Sequence, residues 1–257
     1  VHGTGFADYG CRCKFGTEAL VTATLRSSSL VVCSSPTSSA GTEAMEVTLN
    51  RESAYPGADI TNDAVQFTHY TPSSLKVSAV SPSGGVINGG TTVTVSGTGF
   101  VASGALFCFF GSSKTNATAI NANGLRCQSA SRATAGAVAL EVSLTGVAAD
   151  KTAQNVQFAY YDLALVRVSL VKPNAGPRDG GTHVLVHGTG FANLGLTRCR
   201  FGIGGDVVGW VLGSTKINCT SPALAAAAQL SARGEERVRI SLDGRNFTSD
   251  LVRFTYS

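Results

Sequence analysis

The sequence has few of the features on which membrane-spanning, disordered and catalytic chains depend. No apolar run approaches the roughly 20 residues that a helix needs to cross a bilayer, so we expect no membrane span in this segment. Only 14% of the residues are charged and 43% are hydrophobic, which excludes a disordered chain. The four histidines are His2, His69, His183 and His187. None of them is expected to form a catalytic group with a serine and an acid, so we expect no catalytic residue, no cofactor and no enzyme activity.

Glycine, by contrast, is abundant, and it belongs to a repeated motif. The 257 residues include 30 glycines among many serines, threonines and valines, a composition typical of an all-β protein rich in turns. Gly-Thr-Gly-Phe occurs three times, beginning at Gly3, Gly97 and Gly188. A repeat of about 90 residues predicts three tandem domains, at 1–72, 73–163 and 164–257. Because the first repeat lacks the leader and opening strand of the others, we expect the chain to be part of a longer protein.

Six of the seven cysteines recur as pairs at equivalent positions of the repeats. The recurrence favours a disulfide within each repeat and an oxidising compartment, although buried free thiols in a cytosolic protein remain an alternative. A zinc site is disfavoured because the middle and third repeats offer no further ligands at suitable spacing. The seventh, Cys11, is predicted to be unpaired or to form an interchain bond. The predicted pairs are Cys13 with Cys33, Cys108 with Cys127, and Cys199 with Cys219.

The middle repeat reads as a series of short strands without any helical period. Residues 75–80 and 91–96 alternate apolar and polar side chains, as half-buried strands do, with Val93 and Val95 pointing inward. Further strands are predicted at 105–110, 125–127, 138–144 and 156–160. Gly97 to Phe100 is predicted to be a turn, with Phe100 closing the end of the core. This pattern predicts a β-sandwich for each repeat.

These motifs resemble the IPT/TIG family of immunoglobulin-like domains over the whole chain. The resemblance is carried by Gly-Thr-Gly-Phe, by Cys-x-Phe-Gly followed by a second cysteine, and by a closing Phe-x-Tyr, which ends at Tyr160 and Tyr256. Ala130 departs from the proline that occupies its place at Pro36 and Pro222. The resemblance implies three tandem immunoglobulin-like β-sandwiches.

The resemblance also implies a non-catalytic function outside the cell. We expect a semi-rigid rod in an extracellular or cell-surface protein, which mediates adhesion or scaffolding through protein–protein contacts or self-association. The alanine run at residues 225–228 and the abundant glycine and serine suggest a GC-rich genome such as that of a green alga, and in such an organism we expect a flagellar-surface or cell-wall filament as the setting.

Three sequons could carry N-linked glycans, at Asn116, Asn218 and Asn246. Asn116 and Asn246 fall in predicted loops. Asn218 precedes a cysteine that should point inward, so the Asn218 side chain should point outward. Together with the paired cysteines, the sequons favour a secreted or surface protein.

Other candidate sites have simpler structural interpretations. His183 and His187 share one face of a strand near Asp179 and could bind a metal weakly, but an exposed polar face explains them better, so no metal site is expected. Gly-Thr-Gly-Phe resembles the start of a dinucleotide-binding loop, but a strand follows it instead of the helix that such a loop needs.

Two other function classes stay open. An accessory module of a secreted carbohydrate-active enzyme could use Trp210, which has no counterpart in the other repeats, as a sugar-stacking platform if it is exposed.

DNA binding, known for some members of the family, would need a basic surface. The third repeat does hold a group of arginines, yet acidic residues interrupt it, so no nucleic acid is expected as a partner; the group is Arg198, Arg200, Arg233, Arg237, Arg239, Arg245 and Arg253.

Overall fold

A computed structural model describes residues 1–49, 60–101, 105–202, 205–224 and 234–257. The chain divides into two compact units, Val1–Ser74 and Leu75–Ser257. The described residues form strands joined by loops and three short 3-10 turns, at Pro72–Ser74, Ala148–Asp150 and Leu163–Leu165, so the all-β class is confirmed. The second unit holds both the middle and the third repeats, and the division at 1–72, 73–163 and 164–257 stays a prediction.

The first unit is a five-stranded antiparallel sheet. Its spatial order is β3-β2-β1-β4-β5. Cys13, Phe15, Val31, Met45 and Val47 form its buried core. The strands are β1 (Arg12–Phe15), β2 (Val21–Ser27), β3 (Leu30–Cys33), β4 (Gly41–Thr48) and β5 (Val65–His69).

The middle repeat is a sandwich whose strands follow the order β6-β8-β11-β10-β9-β12-β13-β7. Strand β10 pairs with β9 through residues 113–116 and with β11 through residues 117–121, so it passes from one sheet to the other. The strands are β6 (Lys76–Ser81), β7 (Gly84–Val86), β8 (Thr92–Thr98), β9 (Phe107–Phe110), β10 (Ser113–Asn121), β11 (Gly124–Gln128), β12 (Gly136–Ser143) and β13 (Val156–Tyr161).

The third repeat has the same topology, in the order β14-β16-β19-β18-β17-β20-β21-β15. The sequence repeat is therefore also a structural repeat within this unit. The strands are β14 (Arg167–Lys172), β15 (Ala175–Gly176), β16 (His183–Thr189), β17 (Arg198–Phe201), β18 (Asp206–Gly213), β19 (Lys216–Thr220), β20 (Glu235–Ser241) and β21 (Arg253–Tyr256).

The repeated aromatic motifs meet in the core of each repeat. The phenylalanine of Cys-x-Phe-Gly packs edge-to-face on the phenylalanine of the closing motif, with ring centroids 5.0 Å apart for Phe110 and Phe158 and 5.4 Å apart for Phe201 and Phe254. In the first unit, Phe15 meets Phe67 at 4.9 Å in the same way. Motifs far apart in the sequence therefore recur together because they form one contact.

The predicted strands of the middle repeat are present, but two further strands were missed. Strand β7 has only three residues. The sequence does not predict strand β10, because Ser, Thr, Asn and Ala make up most of it and none of its residues is fully buried. Val93, Val95 and Phe100 are buried as predicted.

The assignment of Gly97 to Phe100 as a turn was wrong at its start. Gly97 lies inside strand β8, and its equivalent Gly188 lies inside β16. A Cβ atom at Gly188 would overlap the carbonyl oxygen of Arg167 and lie 2.5 Å from the Phe191 ring. The second glycine of the motif is needed for a different reason. Gly190 has a positive φ of 73°, a backbone conformation that residues with a Cβ atom rarely adopt.

Replacing Gly188 with alanine should therefore destabilise the third repeat. We expect a loss of about 1–3 kcal/mol, because the β14 backbone and the Phe191 ring must move to admit a methyl group. The loss of stability is measured by thermal unfolding, followed by the fluorescence of the single tryptophan. Gly213→Ala is the matched control, since nothing lies within 4 Å of a Cβ there. Equal midpoints for the two variants would contradict the explanation.

Candidate functional site

A disulfide lies inside each repeat. The bonds join Cys13 to Cys33, Cys108 to Cys127 and Cys199 to Cys219, with Cα atoms 6.3, 6.4 and 6.3 Å apart. In the middle and third repeats each bond connects strands of opposite sheets, β9 to β11 and β17 to β19. The bonds therefore hold the two layers of each sandwich together.

Cys11 is free and buried. Its thiol donates a hydrogen bond to the carbonyl oxygen of Ala7 at 3.0 Å, and its side chain is 3% exposed. An interchain bond needs access to the sulfur, so the folded structure favours the unpaired alternative.

The three sequon asparagines occupy different environments. Asn116 does not lie in the predicted loop; it lies in strand β10, opposite Phe107, with its side chain exposed. Asn218, in β19, is half-buried and points away from the buried Ile217 and Cys219, as predicted. Asn246 lies in a loop, where its side-chain amide donates to Asp243 Oδ2 at 2.8 Å. Their glycosylation stays a prediction.

In the described part of the third repeat the histidines lie on strand β16, and Arg198, Arg200 and Arg239 lie close enough to Asp206 for their charges to act on its carboxyl group. His183 and His187 lie on the outer face of β16, while Val184 and Val186 are buried between them. In the described part of the chain no cluster of three His, Cys, Asp or Glu residues could hold a metal. Arg200 donates to Asp206 at 2.7 Å, which lowers the pKa of that carboxyl group. Arg233 lies outside the described residues.

The middle and third repeats meet at a junction that the sequence did not reveal. The backbone amide of Ser83 donates to the carbonyl oxygen of Leu194 at 2.9 Å, and the Leu194 side chain is 5% exposed. Leu194 packs where Gly84 leaves room, since a Cβ at Gly84 would lie 2.9 Å from the Leu194 methyl groups. Backbone pairing and a buried leucine thus join the two repeats.

The polar centre of the junction is Asp243, which is 3% exposed. Its Oδ2 accepts a hydrogen bond from the Thr91 hydroxyl of the middle repeat at 3.0 Å. Its Oδ1 accepts from the backbone amides of Arg245 at 3.0 Å and Asn246 at 2.8 Å, and from the Ser241 hydroxyl at 3.0 Å. One buried carboxylate therefore ties the third repeat to the middle repeat.

The electrostatics of the junction keep Asp243 ionised. Burial alone would raise the pKa of Asp243, but the bonds from Asn246, Arg245 and Thr91 outweigh burial and lower it. Burial and the nearby Asp243 charge together raise the pKa of Tyr161, which stays neutral. Arg245 reaches across to the Gly90 carbonyl oxygen at 3.3 Å, so the junction carries both signs of charge.

A signal for Asp243 was present in the repeat itself. Ser241 pairs with Arg198 as Ser143 pairs with Phe107, so Asp243 takes the place of Thr145. The presence of an acid where the middle repeat has a neutral residue is the feature of the sequence that distinguishes Asp243. Its partner Thr91 lies 152 residues away in the sequence, and nothing local points to it.

Strand β18 carries an exposed apolar row. Val208 is 48% exposed, Trp210 67% and Leu212 63%. Trp210 is therefore not a core residue, and the structure places it on the surface, directly opposite Asn218 of strand β19. The described residues include no helix with the length and apolar character of a membrane span.

Comparisons with known proteins agree on the fold. The family model of the IPT/TIG domain matches residues 75–160 and 167–256. Among solved structures, the extracellular region of plexin A4, domains 1 to 10, aligns with a TM-score of 0.50 and 16% identity over 97% of this chain. A second structure of that region, with domains 1 to 8, aligns with a TM-score of 0.46 and 17% identity, again over 97% of this chain. The chain spans only 26% and 30% of those two chains, and a search of curated proteins finds no match.

Proposed function

Because the chain belongs to the IPT/TIG family, we propose that it is a non-catalytic segment of an extracellular or cell-surface protein that spaces domains and mediates protein–protein contacts. The junction at Asp243 carries the proposal. A spacer must keep neighbouring domains in a fixed relation, and interfaces within a chain are otherwise mobile by default. Buried hydrogen bonds and a buried leucine between the middle and third repeats supply that restraint.

The disulfides support the extracellular setting. Bonds of this kind persist in oxidising compartments and are rare in the cytosol. The three sequons agree with that setting, as N-linked glycans would be added there. A flagellar-surface or cell-wall filament, and self-association along it, are the finer form of the proposal.

Peptide mass spectrometry of the natively purified protein tests the setting. The protein is denatured and alkylated without reduction, so that only free thiols react. We expect one alkylated cysteine, Cys11, and three cysteine pairs linked within their repeats. Alkylation of all seven cysteines would show that the protein matures in a reducing compartment and would overturn the proposal.

Carbohydrate binding is the second candidate function, and the exposure of Trp210 favours it. An exposed indole beside Val208 and Leu212 offers a flat apolar surface on which a sugar ring could stack. Binding to a glycan array that disappears in Trp210→Ala would support this candidate. Equal array binding by the variant would remove Trp210 from consideration.

A further inference from the structure

Two members of the apolar row on β18, Val208 and Trp210, are particular to the third repeat, while Leu212 has an exposed apolar counterpart in Ile120 of the middle repeat. Cys108 pairs with Thr115 as Cys199 pairs with Val207, which aligns β10 with β18 residue by residue. Thr118 therefore occupies the place of Trp210, and Asn116 that of Val208. An exposed row with a tryptophan at its centre needs an explanation that the shared fold does not supply.

The residue opposite Trp210 is equally particular to this repeat. Trp210 pairs with Asn218, whereas the equivalent pair in the middle repeat is Thr118 with Arg126 and in the first repeat Thr24 with Val32. Asn218-Cys219-Thr220 is a sequon, and neither equivalent position is one. The tryptophan and the sequon thus occur together, in the same repeat and in register.

The sheet holds the two side chains on one face. Directly opposed residues of antiparallel strands have Cβ atoms about 4.5–5.5 Å apart and project to the same side. Ile217 and Cys219 are buried, so Asn218 faces outward with the exposed Trp210. Strand β18 pairs with β17 up to Val208 and with β19 from Gly209 onward, so no strand among the described residues lies beyond Trp210 in that sheet.

We propose that an N-linked glycan on Asn218 folds onto Trp210 and covers the apolar row of β18. The inference rests on the proposed function, because N-glycosylation requires passage through the secretory pathway. The first N-acetylglucosamine presents ring C–H groups and an acetamide methyl group to the indole, while its hydroxyls stay in water. A sugar tethered to the residue directly opposite Trp210 has a high effective concentration at this surface, whereas a free oligosaccharide or a second copy of the chain does not.

Tryptophan fluorescence reports on the surroundings of Trp210 alone, because the chain contains one tryptophan. The chain is produced in a eukaryotic secretory host, and occupancy of Asn218 is read by peptide mass. We expect acrylamide to quench Trp210 about twofold less in the glycosylated protein than in Thr220→Ala, since the sugar would cover much of the exposed indole. Thr220 is exposed, so this change removes the sequon without altering Asn218 itself.

Enzymatic trimming of the folded protein supplies a second measurement that needs no variant. Trimming to a single N-acetylglucosamine should preserve the protection of Trp210, and complete removal should abolish it. For the comparison with Thr220→Ala, Asn116→Gln is the matched control, because Asn116 is an exposed sequon asparagine, and it should leave the quenching unchanged.

The possible outcomes separate this inference from the proposed function. Occupied Asn218 with unprotected Trp210, or bare Asn218 beside glycosylated Asn116 or Asn246, overturns the inference and leaves the extracellular setting intact. If protection of Trp210 from acrylamide in the unglycosylated protein rose with protein concentration, a second copy of the chain would be the group that covers the apolar row. That result would also overturn the inference. Reduced repeat cysteines would overturn the proposed function itself.

Discussion

Removing the disulfide of the third repeat, by Cys199→Ala together with Cys219→Ala, should lower the free energy of unfolding by about 3 kcal/mol. The bond closes a loop of 20 residues, and without it the unfolded chain gains conformational freedom. Both cysteines are fully buried, so the variant also loses contacts between the two sheets. Denaturant unfolding followed by Trp210 fluorescence measures the loss in the repeat that contains the bond.

Cys11→Ala is the control for this experiment. Cys11 is also buried but forms no disulfide, so its replacement removes a sulfur without opening a loop. We expect the transition reported by Trp210 to keep its midpoint in this variant. If Cys199→Ala with Cys219→Ala also kept that midpoint, the disulfide would not stabilise the third repeat. The proposed role of the bond as a link between the two sheets would then be wrong.

Replacing Asp243 with alanine should loosen the junction between the middle and third repeats. The change leaves the buried Thr91 hydroxyl and the amides of Arg245 and Asn246 without their acceptor. Buried donors without partners are costly, so we expect a loss of about 3 kcal/mol in stability. We also expect the two repeats to sample a wider range of orientations, because the Thr91 bond crosses between them.

Spin labels on the exposed positions Thr118 and Lys216 can test the second part of this expectation. The distance distribution between them should be narrow in the unchanged protein and broad in Asp243→Ala. Asp150→Ala is the control, since Asp150 accepts a bond from Thr145 at an exposed loop within the middle repeat. A distribution that stays narrow in Asp243→Ala would show that Leu194 and the backbone contacts suffice, and the role given to the carboxylate would be withdrawn.

Features that depend on motifs repeated along the chain were predictable from the sequence, whereas features that depend on contacts between distant residues were not. Motifs that recur in each repeat, such as Cys-x-Phe-Gly and Phe-x-Tyr, identified the sandwich because each copy repeats the same core contact. Strand β10 escaped prediction because its residues alternate between exposed and half-buried, with no buried apolar face to set a period. Asn116 was assigned to a loop for the same reason.

The sequence alone determined the all-β class, the repeat and the family, because these depend on local periodicity and on motifs repeated in register. Tertiary structure alone decided the junction, because Thr91 and Asp243 lie 152 residues apart in the sequence and only the packing of the two repeats brings them together. It also decided the surface of β18. Trp210 and Asn218 become neighbours only because β18 changes partners at Gly209, and strand pairing is set by the sandwich as a whole.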